Sequence, residues 1–249
     1  MNKKSREEIK LMRHAGHIVA LVHQEMRRVI EPGITTLELD SIANKIIKEN
    51  KAYPTFLGYN GFPASICASV NEQVVHGIPS KDIVLKEGDV ISIDVGATFR
   101  GLVGDGAWTY PVGKIDPKVQ KLLEVTEKSL FKGIEQMIPN SRLENVSAAI
   151  EDVALENGVG IVRQYGGHGV GHDMHEEPFL FNYRTGSNII IKENCAIAIE
   201  PMLNLGCDEV HTLADDWTVV TDDGMPSAHF EHTVLASPDG PLILTQLLD

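Results

Sequence analysis

The sequence predicts an α+β fold made of two similar halves. Three observations carry this: amphipathic helical segments, apolar β-branched segments that hold acids, and the return of one helix–strand order about 107 positions along the chain. Ile9, Met12, Val19, Val22, Met26 and Val29 recur at helical spacing, so residues 6–30 read as an amphipathic helix that EPG at 31–33 stops. TTLELDSIANKIIKEN follows as a second helix, with Leu39, Ile42 and Ile46 on one stripe. Thr35 or Thr36 can cap it, with Glu38 as capping-box partner.

The grammar then repeats. VQKLLEVTEKSLFKGIEQM is an amphipathic helix, IPN stops it, and RLENVSAAIEDVALENG matches the second helix in pattern. LKEGDVISID at 85–94 resembles IKENCAIAIE at 191–200 position by position, and each block ends on an acid, Asp94 or Glu200. With no low-complexity segment and no interior linker, the 249 residues are expected to form one domain. Its halves are about 1–110 and 111–249. Ligands often bind between such halves.

Composition excludes several classes. A formal net charge of -13 gives no purchase on a nucleic-acid backbone. Cys67, Cys195 and Cys207 have no paired spacing, which fits a reducing cytoplasm rather than a disulfide scaffold. The amino-terminal segment is too charged for a signal peptide, and no apolar run is long enough to span a membrane.

Acids inside strand-like stretches are the unusual feature, because strands use Asp little. Asp94 in ISIDVG and Asp105 in GLVGDGAWTY would lie directly opposite each other in a hairpin centred between Phe99 and Arg100. Carbons at such a pair lie roughly 4.5–5.5 Å apart, so two free carboxylates would repel and a divalent cation would relieve them. Alternation offers a plainer account, with Ile91 and Ile93 inward and Ser92 and Asp94 in water. Glu200 in CAIAIEPM sits on a face of small residues, opposite Cys195, Ile197 and Ile199. Glu231 lies in the strand-like AHFEHTVL. His168 is flanked by glycines in GGHGVGHDMHEEP, which let the backbone approach a ligand. His76 in VVHGIP and His175 in MHEEP sit in similar settings. Four acids and one imidazole suit a pair of cations about 3.5–4 Å apart that activate water.

Taken together, IDVG…GDGAWTYPVG, YGGHGVGHDMHEEP, AIEPM, HFEHT and VNEQVVHGIP resemble the type I methionine aminopeptidases over nearly the whole chain. The resemblance implies a pita-bread fold of two pseudo-symmetric α+β halves, an antiparallel-rich curved sheet with helices outside. It implies two divalent ions (Co, Mn, Fe, Zn or Ni) on Asp94, Asp105, His168, Glu200 and Glu231. Asp105 and Glu231 would bridge both, Asp94 would bind one, and His168 and Glu200 the other. Residues matching His76 and His175 touch substrate, the second at the scissile carbonyl, and Glu200 matches the proton carrier. Tyr59, Phe62, Cys67 and Trp217 match methionine-pocket residues, with Phe56 nearby. A sodium or potassium site near Asn71 and Ser227 is known in relatives.

The implied activity is co-translational removal of the initiator methionine, favoured when residue two is small. The implied setting is a cytoplasmic monomer near the ribosome, acting on nascent chains. FLFNYRTGSNIIIKENCAIAIEPM lacks the Gly-Pro-rich loop and the GMVLAIEP wording expected there, and Phe56 in place of a smaller residue leaves pocket size open. The absence of an amino-terminal zinc-finger extension fits the bacterial form. Other readings are a Xaa-Pro aminopeptidase or prolidase, which usually carries an extra amino-terminal domain, and a non-catalytic binding module of the same fold.

Overall fold

Helix α1 (Arg6–Val29) opens on a capping box: Ser5 accepts from the backbone N–H of Glu8, and Glu8 accepts from that of Ser5. Glu7 and Glu8 in its first turn and Arg27 and Arg28 in its last suit the helix dipole. Its stripe of Met12, Ile18, Val19, Val22 and Met26 is fully buried. Each such side chain contributes about 1.5–3 kcal/mol by leaving water. Helix α2 (Thr36–Glu49) opens on a second capping box in which Thr35, not Thr36, is the cap and Glu38 the partner. The computed structural model describes residues 1–248 of the chain.

Short strands β1 (Tyr53–Pro54), β2 (Cys67–Val70) and β3 (Gln73–Val75) follow, then the long hairpin of β4 (Val90–Phe99) and β5 (Leu102–Pro111). Helices α3 (Pro117–Ile134) and α4 (Glu144–Asn157) pack on each other. Next come β6 (Gly160–Ile161), β7 (Gly167–Gly169), β8 (Glu176–Leu180), β9 (Ala196–Ile199) and β10 (Met202–Asn204). The chain ends with β11 (Val210–Thr212), β12 (Val219–Thr221), β13 (Ser227–His229), β14 (His232–Ser237) and β15 (Gly240–Ile243). Val90 and Ala196 open β4 and β9, as the aligned blocks LKEGDVISID and IKENCAIAIE lead one to expect.

The hairpin corrects one expectation. Its turn is the two-residue pair Arg100–Gly101, both with positive φ (49° and 81°), so Phe99 pairs with Leu102. The centre therefore falls one position later than expected. Asp94 pairs with Ala107 and Asp105 with Gly96, so the two acids are diagonal neighbours on one face rather than directly opposite. Nor does the outward face meet water: Ser92 is buried and hydrogen-bonded to Thr109 at 2.8 Å.

A second correction concerns the glutamates, which sit at breaks between strands rather than inside them. Strands β9 and β14 pair in the five-stranded sheet β15-β14-β9-β7-β8, whereas β10 and β13 pair in the three-stranded sheet β13-β10-β6. The chain passes from one sheet to the other at Glu200–Pro201 and again at Phe230–Glu231. A proline cannot donate to a ladder, which explains the first break. The register carries across: Ile199 pairs with His232 and Met202 with His229, so Glu200 and Glu231 face each other.

A polar seam ties the hairpin to these crossings. The fully buried Thr233 hydroxyl accepts from the backbone N–H of Asp105 at 3.1 Å and donates to its C=O at 2.8 Å. The Glu231 N–H donates to the Ala107 C=O at 2.8 Å, and the Thr109 hydroxyl donates to the His229 C=O at 2.9 Å. Apolar clusters flank the seam, one under α1 and α2 against β4, the other under α3 and α4 against β9 and β14. Thr233→Val keeps the shape but leaves two buried backbone groups unpaired. It is expected to cost about 2–4 kcal/mol in urea unfolding, whereas Thr233→Ser should cost far less. Equal stability of the two variants would show that the seam is not held this way.

Candidate active site

Strand pleating brings the sequence-selected residues to one place. Asp94 and Asp105 project from the hairpin, Glu200 and Glu231 from the two crossings, and His168 from β7, which pairs with both β8 and β9. His168 Nε2 lies 3.5 Å from Asp105 Oδ2 and 3.4 Å from Glu200 Oε1. Donor atoms of Asp105, His168 and Glu231 all lie within 4.8 Å of one another, and so do those of Glu200, His229 and Glu231.

These side chains lack the partners that burial demands. Asp94 Oδ1, Asp105 Oδ1, Glu231 Oε1 and His229 Nε2 are buried without a hydrogen bond. Buried carboxylates need compensation by a partner or a metal. His168 is oriented for ligation: its Nδ1 donates to the Gly169 carbonyl at 2.9 Å, leaving Nε2 aimed at the acids. Oxygens with a single aimed imidazole nitrogen suit a divalent first-row cation, so the donor set fits a metal centre.

The electrostatics agree. Burial, then the Asp105 and Glu200 carboxylates, pushes Asp94 well above the usual carboxylate range. Burial, then Asp105, Glu200 and Asp94, does the same to Glu231. Burial alone would lower His168, but the Asp105 and Glu200 carboxylates outweigh it and raise it to about 9. Burial, then nearby His229 and His175, lowers His76 to about 4. His175 is lowered by burial and by His168 beside it. Burial holds the Cys67 thiol well above its ordinary value, so Cys67 is lining rather than nucleophile.

A cavity of about 240 Å³ opens on the cluster, and every site residue selected from sequence lines it. Tyr59, Phe62, Cys67, Trp217, His76 and His175 are all there, with Phe56. Phe62 meets Trp217 edge to face at 5.1 Å, and the Tyr59 hydroxyl bonds His175 Nδ1 at 2.8 Å. Phe56 fits because Gly96 lacks a side chain: a Cβ there would stand 2.7 Å from the ring. Sequence reasoning missed Tyr165, Met174, Phe179 and Met202 in the lining, and it missed His229 beside the acids. Strand alternation offered a signal for His229, two residues before Glu231 and so on its face. For the lining residues no spacing signal existed.

The sequence matches the profile of metallopeptidase family M24 over residues 10–238. The chain belongs to metallopeptidase family M24. Within this family it is 52% identical over 245 residues to methionine aminopeptidase 1 of Bacillus subtilis, covering 98% of each chain. It is 46% identical to the methionine aminopeptidase of Clostridium acetobutylicum, covering 97% of each. The crystal structure of the Thermotoga maritima methionine aminopeptidase superposes with a TM-score of 0.97 at 42% identity, over 99% of each chain. An Xaa-Pro dipeptidase of Bacillus anthracis shares the fold at a TM-score of 0.79 and 19% identity, but this chain spans only 62% of it. The M24 chain thus has the α+β pita-bread fold, its site is that of a metal-dependent hydrolase, and its donor set serves divalent metal ions. Among the described residues no helix is long and apolar enough to cross a membrane.

The raised values fix a sign for pH dependence. In the metal-free protein Asp94 and Glu231 keep protons that the unfolded chain would release. Their contribution to stability is full below the ordinary carboxylate value of about 4. It is lost as pH rises through the raised folded values. A cation must displace those protons, so it binds more tightly as pH rises. Calorimetric titration of metal-free protein with cobalt should show proton release and at least tenfold tighter binding at about pH 8 than at about pH 6. Binding indifferent to pH would contradict this electrostatic picture.

Proposed function

We propose that the chain removes the amino-terminal methionine from nascent proteins by hydrolysing their first peptide bond, most readily when residue two is small. The observation that supports this best is the buried acid–imidazole cluster at the floor of a cavity lined by Tyr59, Phe62, Cys67 and Trp217. A thioether side chain is soft and apolar, and aromatic rings and a thiol suit it. Two divalent ions, drawn from Co, Mn, Fe, Zn or Ni, would be held by Asp94, Asp105, His168, Glu200 and Glu231, with Asp105 and Glu231 shared. When bound, they supply Lewis-acid polarisation of the carbonyl and lower the pKa of water.

The chain's own groups do the rest. Glu200 is more open than Asp105 and Glu231, its side chain 13% exposed against 3% and 2%, and it carries the proton from water toward the leaving amine. His175 is neutral near pH 7, lowered by partial desolvation and by His168, and with the Tyr59 hydroxyl donating to Nδ1 it carries its proton on Nε2. Nε2 then donates to the developing oxyanion. His76, also neutral and wedged edge-on between Tyr165 and Trp217, contacts the substrate amide.

The same proposal covers the surroundings. The halves 1–110 and 111–249 form one catalytic domain that works as a cytoplasmic monomer near the ribosome, with no role for membrane or nucleic acid. A sodium or potassium ion would be held near Asn71 and Ser227, where the Ser227 N–H donates to the Asn71 carbonyl at 2.9 Å.

Two measurements test this reading. Cobalt- or manganese-loaded protein should cleave Met-Ala-Ser well and both Met-Lys-Ser and Ala-Pro peptides poorly. Preference for the proline peptide would point to an Xaa-Pro enzyme, and inert loaded protein to a binding module. His175→Ala should keep fold and metal content yet lose about 10²–10³-fold in kcat, and near-normal turnover would remove its oxyanion role.

A further inference from the structure

His229 is the one member of the cluster that the five-residue metal set leaves without a task. It is 1% exposed, ends β13, and shares the inward face of Glu231 by strand alternation. Its Nε2 makes no hydrogen bond. It lies 3.4 Å from Glu200 Oε2 and 3.8 Å from Glu231 Oε2. An N–H···O hydrogen bond spans roughly 2.7–3.2 Å, so these contacts are too long to be one.

The spacing fits a different relation. Two ligand atoms at about 2.0–2.2 Å from a tetrahedral cation stand about 3.3–3.6 Å apart. His168 Nε2 stands 3.4 Å from Glu200 Oε1, and His229 Nε2 stands the same 3.4 Å from Glu200 Oε2. Glu200 therefore presents one oxygen to each imidazole. Glu200, His229 and Glu231 form a donor triad with every ligand atom within 4.8 Å of the others, and a second triad of Asp105, His168 and Glu231 shares Glu231 with it. A purely structural imidazole at this depth would be expected to find a hydrogen-bond acceptor or donor, because an unpaired buried polar nitrogen is costly.

We propose that His229 is a sixth protein ligand of the metal centre, its Nε2 binding one divalent cation together with Glu200 and Glu231. This rests on the metal-centre reading above. A second imidazole makes the centre richer in nitrogen, which favours Co, Ni, Zn or Fe over Mn and Mg at that position.

The test is cobalt loading of wild type, His229→Ala and His229→Gln, read by X-ray absorption, visible spectra and calorimetry rather than by turnover. Wild type with two equivalents should show about one imidazole nitrogen per cobalt, and His229→Ala about half that. The variant should also bind one of its cobalt ions at least tenfold more weakly, with an altered visible band. About half an imidazole per cobalt in wild type overturns the proposal, even if neither variant folds. So do cobalt spectra and affinities in the variants that match wild type. Wild type that binds no cobalt at all would instead remove the metal-centre reading beneath it.

Discussion

Mutual repulsion among Asp94, Asp105, Glu200 and Glu231 is the force around which this molecule is arranged. Two charges 4 Å apart repel by about 4 kcal/mol at an effective dielectric of 20. Glu231 has ligand oxygens within 4.8 Å of both Asp105 and Glu200. The metal-free protein escapes that repulsion by keeping protons on Asp94 and Glu231, and it loses stability as pH rises toward their raised values. The fold withstands this by placing the acids on backbone that cannot yield. Two project from a ten-residue-long hairpin strand pair, and two stand at the points where a ribbon passes from one sheet to the next. A cation turns the repulsion into attraction, so the strain in the protein becomes affinity for metal.

The seam makes that placement possible. Asp105 is fixed on both its backbone groups by Thr233, and Glu231 is fixed through the Ala107 carbonyl. Each acid is thus registered against the strand that carries another, and the spacing between them does not depend on side-chain packing alone. The apolar clusters under the two helix pairs hold the seam from either side. The cavity then needs only to add a wall for an apolar side chain, which Phe56, Phe62 and Trp217 supply.

Much of this was legible in the sequence, for identifiable reasons. A capping box at Thr35 and strong apolar stripes made α1 and α2 readable to within a residue or two, while the matching box at Ser5 went unread. The acids stood out because strands disfavour them. The hairpin register was not legible: Arg100 adopts a positive φ that its residue type does not announce, and this moved the turn by one position. The two crossings were hidden as well, since AHFEHTVL and AIAIEPM each look continuous while the chain changes sheet within them. That hid the direct pairing of Glu200 with Glu231. His229 went unnoticed because a histidine among ten carries little weight until distances are known.

The most direct test is the unfolding free energy of Asp94→Asn against wild type, measured metal-free and again with saturating cobalt. Near pH 7 the metal-free fold must take up a proton at Asp94, and Asn needs none, so the metal-free variant should be more stable than wild type and the cobalt-loaded variant less stable. A change of the same sign in both states would contradict the claim that repulsion among these acids, balanced by a cation, governs the site.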